Sequence, residues 1–171
     1  GRYSFFVARI DLEDGGLVWG KCLLAKPHES DPDHANVRLG QPAWSASDAF
    51  NGWAWTPDDE LVMTGNVRGT LEIGQGNQVT KPGNMAAFVL KLSGKDGAMR
   101  WVKTFGDAQP THAVEGRKVV VDATGTMFVA WDIRRTVEIG SKTVDVPNQT
   151  MRTALTRFEP DGSITWTQEL Q

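Results

Sequence analysis

Between Pro27 and His34 the chain reads Pro27-His28-Glu29-Ser30-Asp31-Pro32-Asp33-His34. Two imidazoles, His28 and His34, stand within seven residues of three carboxylates, Glu29, Asp31 and Asp33. Imidazole nitrogen and carboxylate oxygen suit a divalent cation such as zinc or manganese. The competing reading is a solvated loop, since Pro, Ser and Asp are what exposed connections use. The His-x₅-His spacing matches no rigid metal motif, so both readings stay open. A second group is aromatic: Trp44, Phe50, Trp53 and Trp55. Trp53 and Trp55 fall on one face of a strand by the period of two. They are either core between packed sheets or a platform for a sugar or peptide. His112 stands in a connecting stretch, Gln109–Glu115, where a loop could touch a ligand. No Gly-x-Ser-x-Gly nucleophile elbow occurs. Gly74-Gln75-Gly76-Asn77 follows a strand but opens no helix, so it reads as a turn and not as a phosphate cradle. Cys22 is expected as a small buried apolar residue of a strand.

What must position these residues is written in an internal repeat. Three hairpins read alike: 6–19, 88–101 and 154–166. Each has an apolar strand carrying one basic residue, an Asp-Gly turn, a second strand and a Trp (Trp19, Trp101, Trp166). Asp-Gly between strands favours a hairpin because both residues tolerate positive φ. Two copies extend upstream. Arg68-Gly69-Thr70-Leu71-Glu72-Ile73-Gly74 aligns with Arg134-Arg135-Thr136-Val137-Glu138-Ile139-Gly140 at an offset of 66, and the offset holds from Trp55/Val121 to Leu92/Phe158. Four strands per copy follow, near 52–56, 61–67, 86–92 and 98–105, then 118–122, 126–133, 152–158 and 163–170. No window shows a convincing 3.6 period, so almost no helix is expected. Glu72 and Glu138 recur with Arg68 and Arg134, as expected of ion pairs or turn-fixing carboxylates within each unit.

Short antiparallel four-stranded units in tandem are the pattern of β-propeller blades, which cover their faces by stacking on one another. The expected class is all-β. A half blade (1–24) is followed by an insertion (25–50) and two blades (51–107 and 108–171). The insertion makes the Trp19–Trp101 interval 82 residues against 65 for Trp101–Trp166. Two and a half blades fall short of the usual four to eight. The chain is therefore expected to be a piece of a longer propeller, or to be closed by another chain. Its first residues, Gly1-Arg2-Tyr3-Ser4, include no Met and no leader-like run, so the natural start is expected upstream.

The stretches 69–74 and 86–106, and more loosely 126–140 with 152–170, resemble the bacterial SBBP β-propeller repeat; 5–23 matches its second half only. The Asp-Gly-x-x-x-Trp element also resembles the repeat of pyrroloquinoline-quinone propellers. The SBBP resemblance implies a cell-surface or secreted protein. Variable loops on a rigid repeat stack point to a non-enzymatic scaffold or binding module that meets protein or glycan through blade-connecting loops. The alternatives are a quinoprotein-like enzyme domain with its cofactor on the propeller axis, or a purely structural part of an extracellular assembly. Composition narrows the partners. Lys and Arg number 18 against 21 Asp and Glu, so the net charge is −3, without the basic face that nucleic acid requires. No apolar run reaches the roughly 20 residues of a membrane-spanning helix. A single Cys excludes an internal disulfide framework and a Cys-rich zinc site. A cation bound at 28–34 would shift the thermal midpoint when EDTA or zinc is added; an unchanged midpoint leaves the segment a solvated loop.

Overall fold

The computed structural model describes residues 3–26, 49–74, 76–106, 114–147 and 150–170. Among them there is no α-helix, as the missing 3.6 period predicts. The first hairpin is β1 (Tyr3–Ile10) and β2 (Leu17–Lys26). A meander follows: β3 (Ala49–Trp55), β4 (Glu60–Gly74), β5 (Asn77–Ser93) and β6 (Met99–Phe105). A second meander comprises β7 (Val114–Val121), β8 (Met127–Ile133), β11 (Arg152–Phe158) and β12 (Ile164–Leu170). Between β8 and β11 lies a small hairpin, β9 (Val137–Ile139) with β10 (Lys142–Val144).

The offset of 66 reappears as register. Leu61 faces Leu92 across β4–β5 as Met127 faces Phe158 across β8–β11, and Val62 faces Lys91 as Phe128 faces Arg157. The outer hairpins agree as well: Arg9 faces Trp19, Lys91 faces Trp101 and Arg157 faces Trp166. The two copies differ beyond their second and third strands. In the first copy they continue unbroken as β4 and β5, whereas in the second they stop and restart as the separate β9–β10 hairpin. The extension of β4 has a consequence for the first hairpin. Leu24, Ala25 and Lys26 of β2 pair with Glu72, Leu71 and Thr70. The expected freestanding half blade is thus hydrogen-bonded into one six-stranded sheet with the first meander, because the long β4 offers a second length of edge beyond the part that β3 covers.

Packing follows from alternation. In β8, Met127, Val129, Trp131 and Ile133 are buried while the residues between them are half-buried, the signature of a strand with one covered face. Those four pack with Val62, Val89 and Phe105 of the first meander into one apolar cluster. The opposite face of the first meander (Leu61, Met63, Phe88, Leu90, Leu92) packs on Trp19 and Leu23 of the first hairpin. The chain is therefore a stack: hairpin, meander, meander.

The two meanders converge along β3 and β7. A Cβ on Gly52 would lie 2.8 Å from Lys118 Cα, and one on Gly116 would lie 2.1 Å from Thr64 Oγ1. Both backbone polar groups of Gly116 are gripped from the other sheet: Asn51 Nδ2 donates to its carbonyl (2.6 Å) and its N–H donates to Asn66 Oδ1 (3.0 Å). Behind this contact Trp131 fills the gap between sheets. Its ring centroid lies 5.0 Å from Phe105 and 6.4 Å from Phe158, and its indole N–H donates to Thr156 Oγ1 (2.8 Å). Trp131→Ala should lower the unfolding free energy by about 3–5 kcal/mol through the cavity it leaves. Gly116→Ala should cost about 1–3 kcal/mol through overpacking against Thr64. Urea unfolding curves of the two variants check both values.

Candidate functional site

The aromatic pair predicted to share a face does so. Trp53 faces Met63 and Trp55 faces Leu61 across β3–β4, and both rings lie on the side turned toward the first hairpin. They are not core. Trp53 is 66% and Trp55 40% exposed, so of the two sequence readings the structure takes the uncovered one. The cause is the length of the layer beside them. The first hairpin packs on Leu61 and Met63 of β4 and on β5 and β6, whereas the indoles of β3 lie beyond it and stay exposed. Trp53, Trp55, Leu61 and Met63 therefore form one wall of a cleft of about 400 Å³, with Phe5 and Val7 of β1 on the other. Among the described residues β1 has a strand partner on one edge only. The cleft thus combines apolar walls with a row of outward-directed backbone groups. At one end the Arg9 guanidinium lies over the Trp55 ring, 5.4 Å from its centroid. Arg9 also pairs with Asp59, so the cation is held over the ring rather than free to swing.

A second constellation recurs at each junction in the stack. Arg9 Nη1 and Trp19 Nε1 both donate to the carbonyl of Gly94, at 2.9 and 2.5 Å. Lys91 Nζ and Trp101 Nε1 both donate to the carbonyl of Pro160, at 3.0 and 3.4 Å. Gly94 and Pro160 occupy the same place in successive Asp-Gly hairpins. Each indole also lies flat against the turn glycine: a Cβ on Gly97 would meet Trp19 at 2.9 Å, and one on Gly162 would meet Trp101 at 3.0 Å. Positive φ (68° at Gly97, 85° at Gly162) and this close approach both demand glycine. Lys21 adds a third prong by donating to the Gly97 carbonyl. Partial burial pushes its ammonium pKa down, opposed by the charge of Asp96. Lys91 is buried and neutralised by Glu60 Oε2 at 2.6 Å.

The turn carboxylates are held below the ordinary value of 3.8 chiefly by hydrogen bonds. The Ala98 N–H acts on Asp96, the Thr124 hydroxyl on Asp122 and the Ser163 N–H on Asp161. These bonds close Asx turns, and those at Asp96 and Asp161 shape the loops gripped by Trp19 and Trp101.

The remaining sequence expectations divide. His28, Glu29, Asp31, Asp33, His34, Trp44 and His112 lie outside the described residues. Among the described residues no three His, Cys, Asp or Glu side chains are grouped to hold a metal ion. Cys22 is exposed, not buried, because it alternates with Leu23 and falls on the outer face of β2 opposite Phe6. Arg134 approaches Glu115 (3.9 Å) instead of the expected Glu138, which is exposed on β9. Arg117 bridges Glu115 and Asp132 at 3.0 and 2.6 Å, a network that no repeat signal announced, since Arg117 stands in only one copy. No helix is long and apolar enough to cross a membrane among the described residues. The chain matches no protein-family model, and no curated protein matches it.

A folded-state pKa below the unfolded value means that ionised Asp161 stabilises the fold above about pH 3.8, and that this contribution disappears as pH falls through the lower folded value. Asp161→Asn keeps a side-chain acceptor but removes the charge. Its thermal midpoint should fall below that of the parent at pH 7, with the gap closing in acid below pH 3.8. A gap independent of pH would mean that the charge contributes nothing.

Proposed function

We propose that the chain is a segment of a β-propeller of the SBBP-like kind, serving as a non-enzymatic binding scaffold at the cell surface or outside the cell. Three features support the propeller reading: two meanders in the same register, apolar packing between successive layers, and the same Trp-and-cation grip at two junctions. The observation that carries the binding reading is the cleft of Trp53 and Trp55 beside the open edge of β1. Its occupant is an extended protein segment. Such a strand adds to the edge of β1 through main-chain hydrogen bonds and lays alternate apolar side chains on the two indoles. The walls are mostly apolar, which favours a polypeptide over a glycan, whose hydroxyls need polar partners on every side. The blade-connecting loops supply further specificity.

Calorimetric titration with a synthetic peptide of about seven residues, the length of an ordinary strand, alternating Ile with Thr, should show binding. Trp53→Ala and Trp55→Ala should each weaken it about tenfold or more, since burying a large aromatic contributes well over the roughly 1.4 kcal/mol of one decade. Both residues are exposed, so stability should change little. Binding of a soluble oligosaccharide but not of the peptide would replace the protein partner by a glycan. Failure of both ligands would overturn the cleft as a site.

A further inference from the structure

The grip repeated at two junctions has a third copy that holds no hairpin turn among the described residues. Arg157 and Trp166 face each other across β11–β12 as Arg9 faces Trp19 and Lys91 faces Trp101. In the first two copies the cation and the indole converge on one carbonyl of the next hairpin turn. In the third, Arg157 Nε is buried without a hydrogen-bond partner, while Nη2 pairs with Glu159 at 3.3 Å and the charge also acts on Asp122. Trp166 is 36% exposed, against 8% for Trp19 in its filled junction. The sheet face around it carries Val120 and Leu170 exposed and Phe128 half-buried, with the Phe128 ring 6.2 Å from Trp166. The corresponding face of the first meander is covered: Val62, the counterpart of Phe128, is fully buried.

The other end of the stack bears the matching half. The turn of the first hairpin has the hydrogen bonds of the gripped turn in β5–β6. Asp11 N donates to Gly16 O (2.8 Å) and Gly15 N to Asp11 O (2.9 Å), as Ser93 N donates to Ala98 O and Gly97 N to Ser93 O at the same distances. Gly15 keeps the positive φ (73°), yet nothing lies within 4 Å of where its Cβ would be, whereas Gly97 has Trp19 there. Leu12 holds the place of Gly94 and is 98% exposed. Phe6, Ile10 and Leu17 are exposed at the positions that Phe88, Leu92 and Met99 fill in the next layer, where they pack on the hairpin before them. Asp11, Glu13 and Asp14 ring this turn and are exposed; on the other face stand the cations Arg157, which pairs with Glu159, and Lys118, which is exposed.

We propose that the β7–β8–β11–β12 face of one molecule docks on the β1–β2 hairpin of a second copy of this chain, with Arg157 and Trp166 donating to the Leu12 carbonyl and the indole seated on Gly15. The assignment rests on reading the layers as repeating units. The contact is heterologous, so it closes into a ring or runs on as a filament.

Sedimentation velocity of the full chain at rising concentration should show species at multiples of 18.8 kDa. Phe6→Glu and Val120→Glu change exposed residues and should leave the fold intact, which far-ultraviolet circular dichroism checks. Each should weaken self-association at least tenfold. Mixed in equal amounts they should form one-to-one dimers and nothing longer, because one variant keeps a working turn and the other a working grip. Arg157→Met should weaken association without altering peptide binding in the Trp53–Trp55 cleft. A chain that stays monomeric up to millimolar concentration, or whose association is untouched by Val120→Glu, overturns the proposal. Peptide binding that persists in such a monomer keeps the scaffold reading standing, so the two failures are distinguishable.

Discussion

A strand buried on both faces has no face it can give to water. β4 is such a strand: Leu61 and Met63 point to one side, Val62 and Thr64 to the other, and all four are buried. Its sheet must be covered twice, and the chain does this by layering. One layer is the second meander and the other is the first hairpin, and each contact removes apolar area from water at roughly 25 cal/mol per Å². The close approach of β3 and β7 at Gly52 and Gly116 follows from the same demand, since any side chain there would hold the sheets apart. So does the exposure of Trp53 and Trp55. They sit on β3, beyond the described strands of the covering hairpin.

Apolar burial is non-directional and would tolerate one layer sliding over another. Direction comes from the polar grip at each junction. A carbonyl in an Asp-Gly turn accepts from a cation and an indole of the preceding hairpin, and the turn glycine leaves a seat for the ring. Because the donors face each other across the same strand pair in every copy, the geometry can recur without new design. The turn carboxylates contribute from the other side, by shaping the loop that presents the carbonyl. Among the described residues, the surfaces left uncovered are those for which the stack supplies no further layer.

Much of this was legible in the residues. The offset of 66 is the strand register itself, because hydrogen-bonded partners must shift together when a unit is repeated. The basic residue and the Trp in each hairpin were visible as a pair, though their common acceptor was not, since it lies 59 to 85 residues away in the next turn. Trp131 went unremarked for a volumetric reason. At its level the first copy places Phe88 opposite Gly65, while the second places Ala154 opposite Trp131, so the bulk has crossed from one strand to its neighbour. Summed volume across the pair is kept while position-by-position similarity is lost. Cys22 was misplaced because a short strand tells which residues alternate but not which set faces inward when both sets are apolar.

By itself the sequence determined the all-β class, the four-strand unit, its turns and the pairing within each unit, because these depend on local φ preference and on side-chain alternation over a few residues. Only the tertiary structure decided that β2 joins the far length of β4, that Trp53 and Trp55 stand open, and that one Arg–Trp pair meets no turn carbonyl among the described residues. Those outcomes depend on which surfaces run out of neighbours, and that is a property of the stacked layers and not of any one strand.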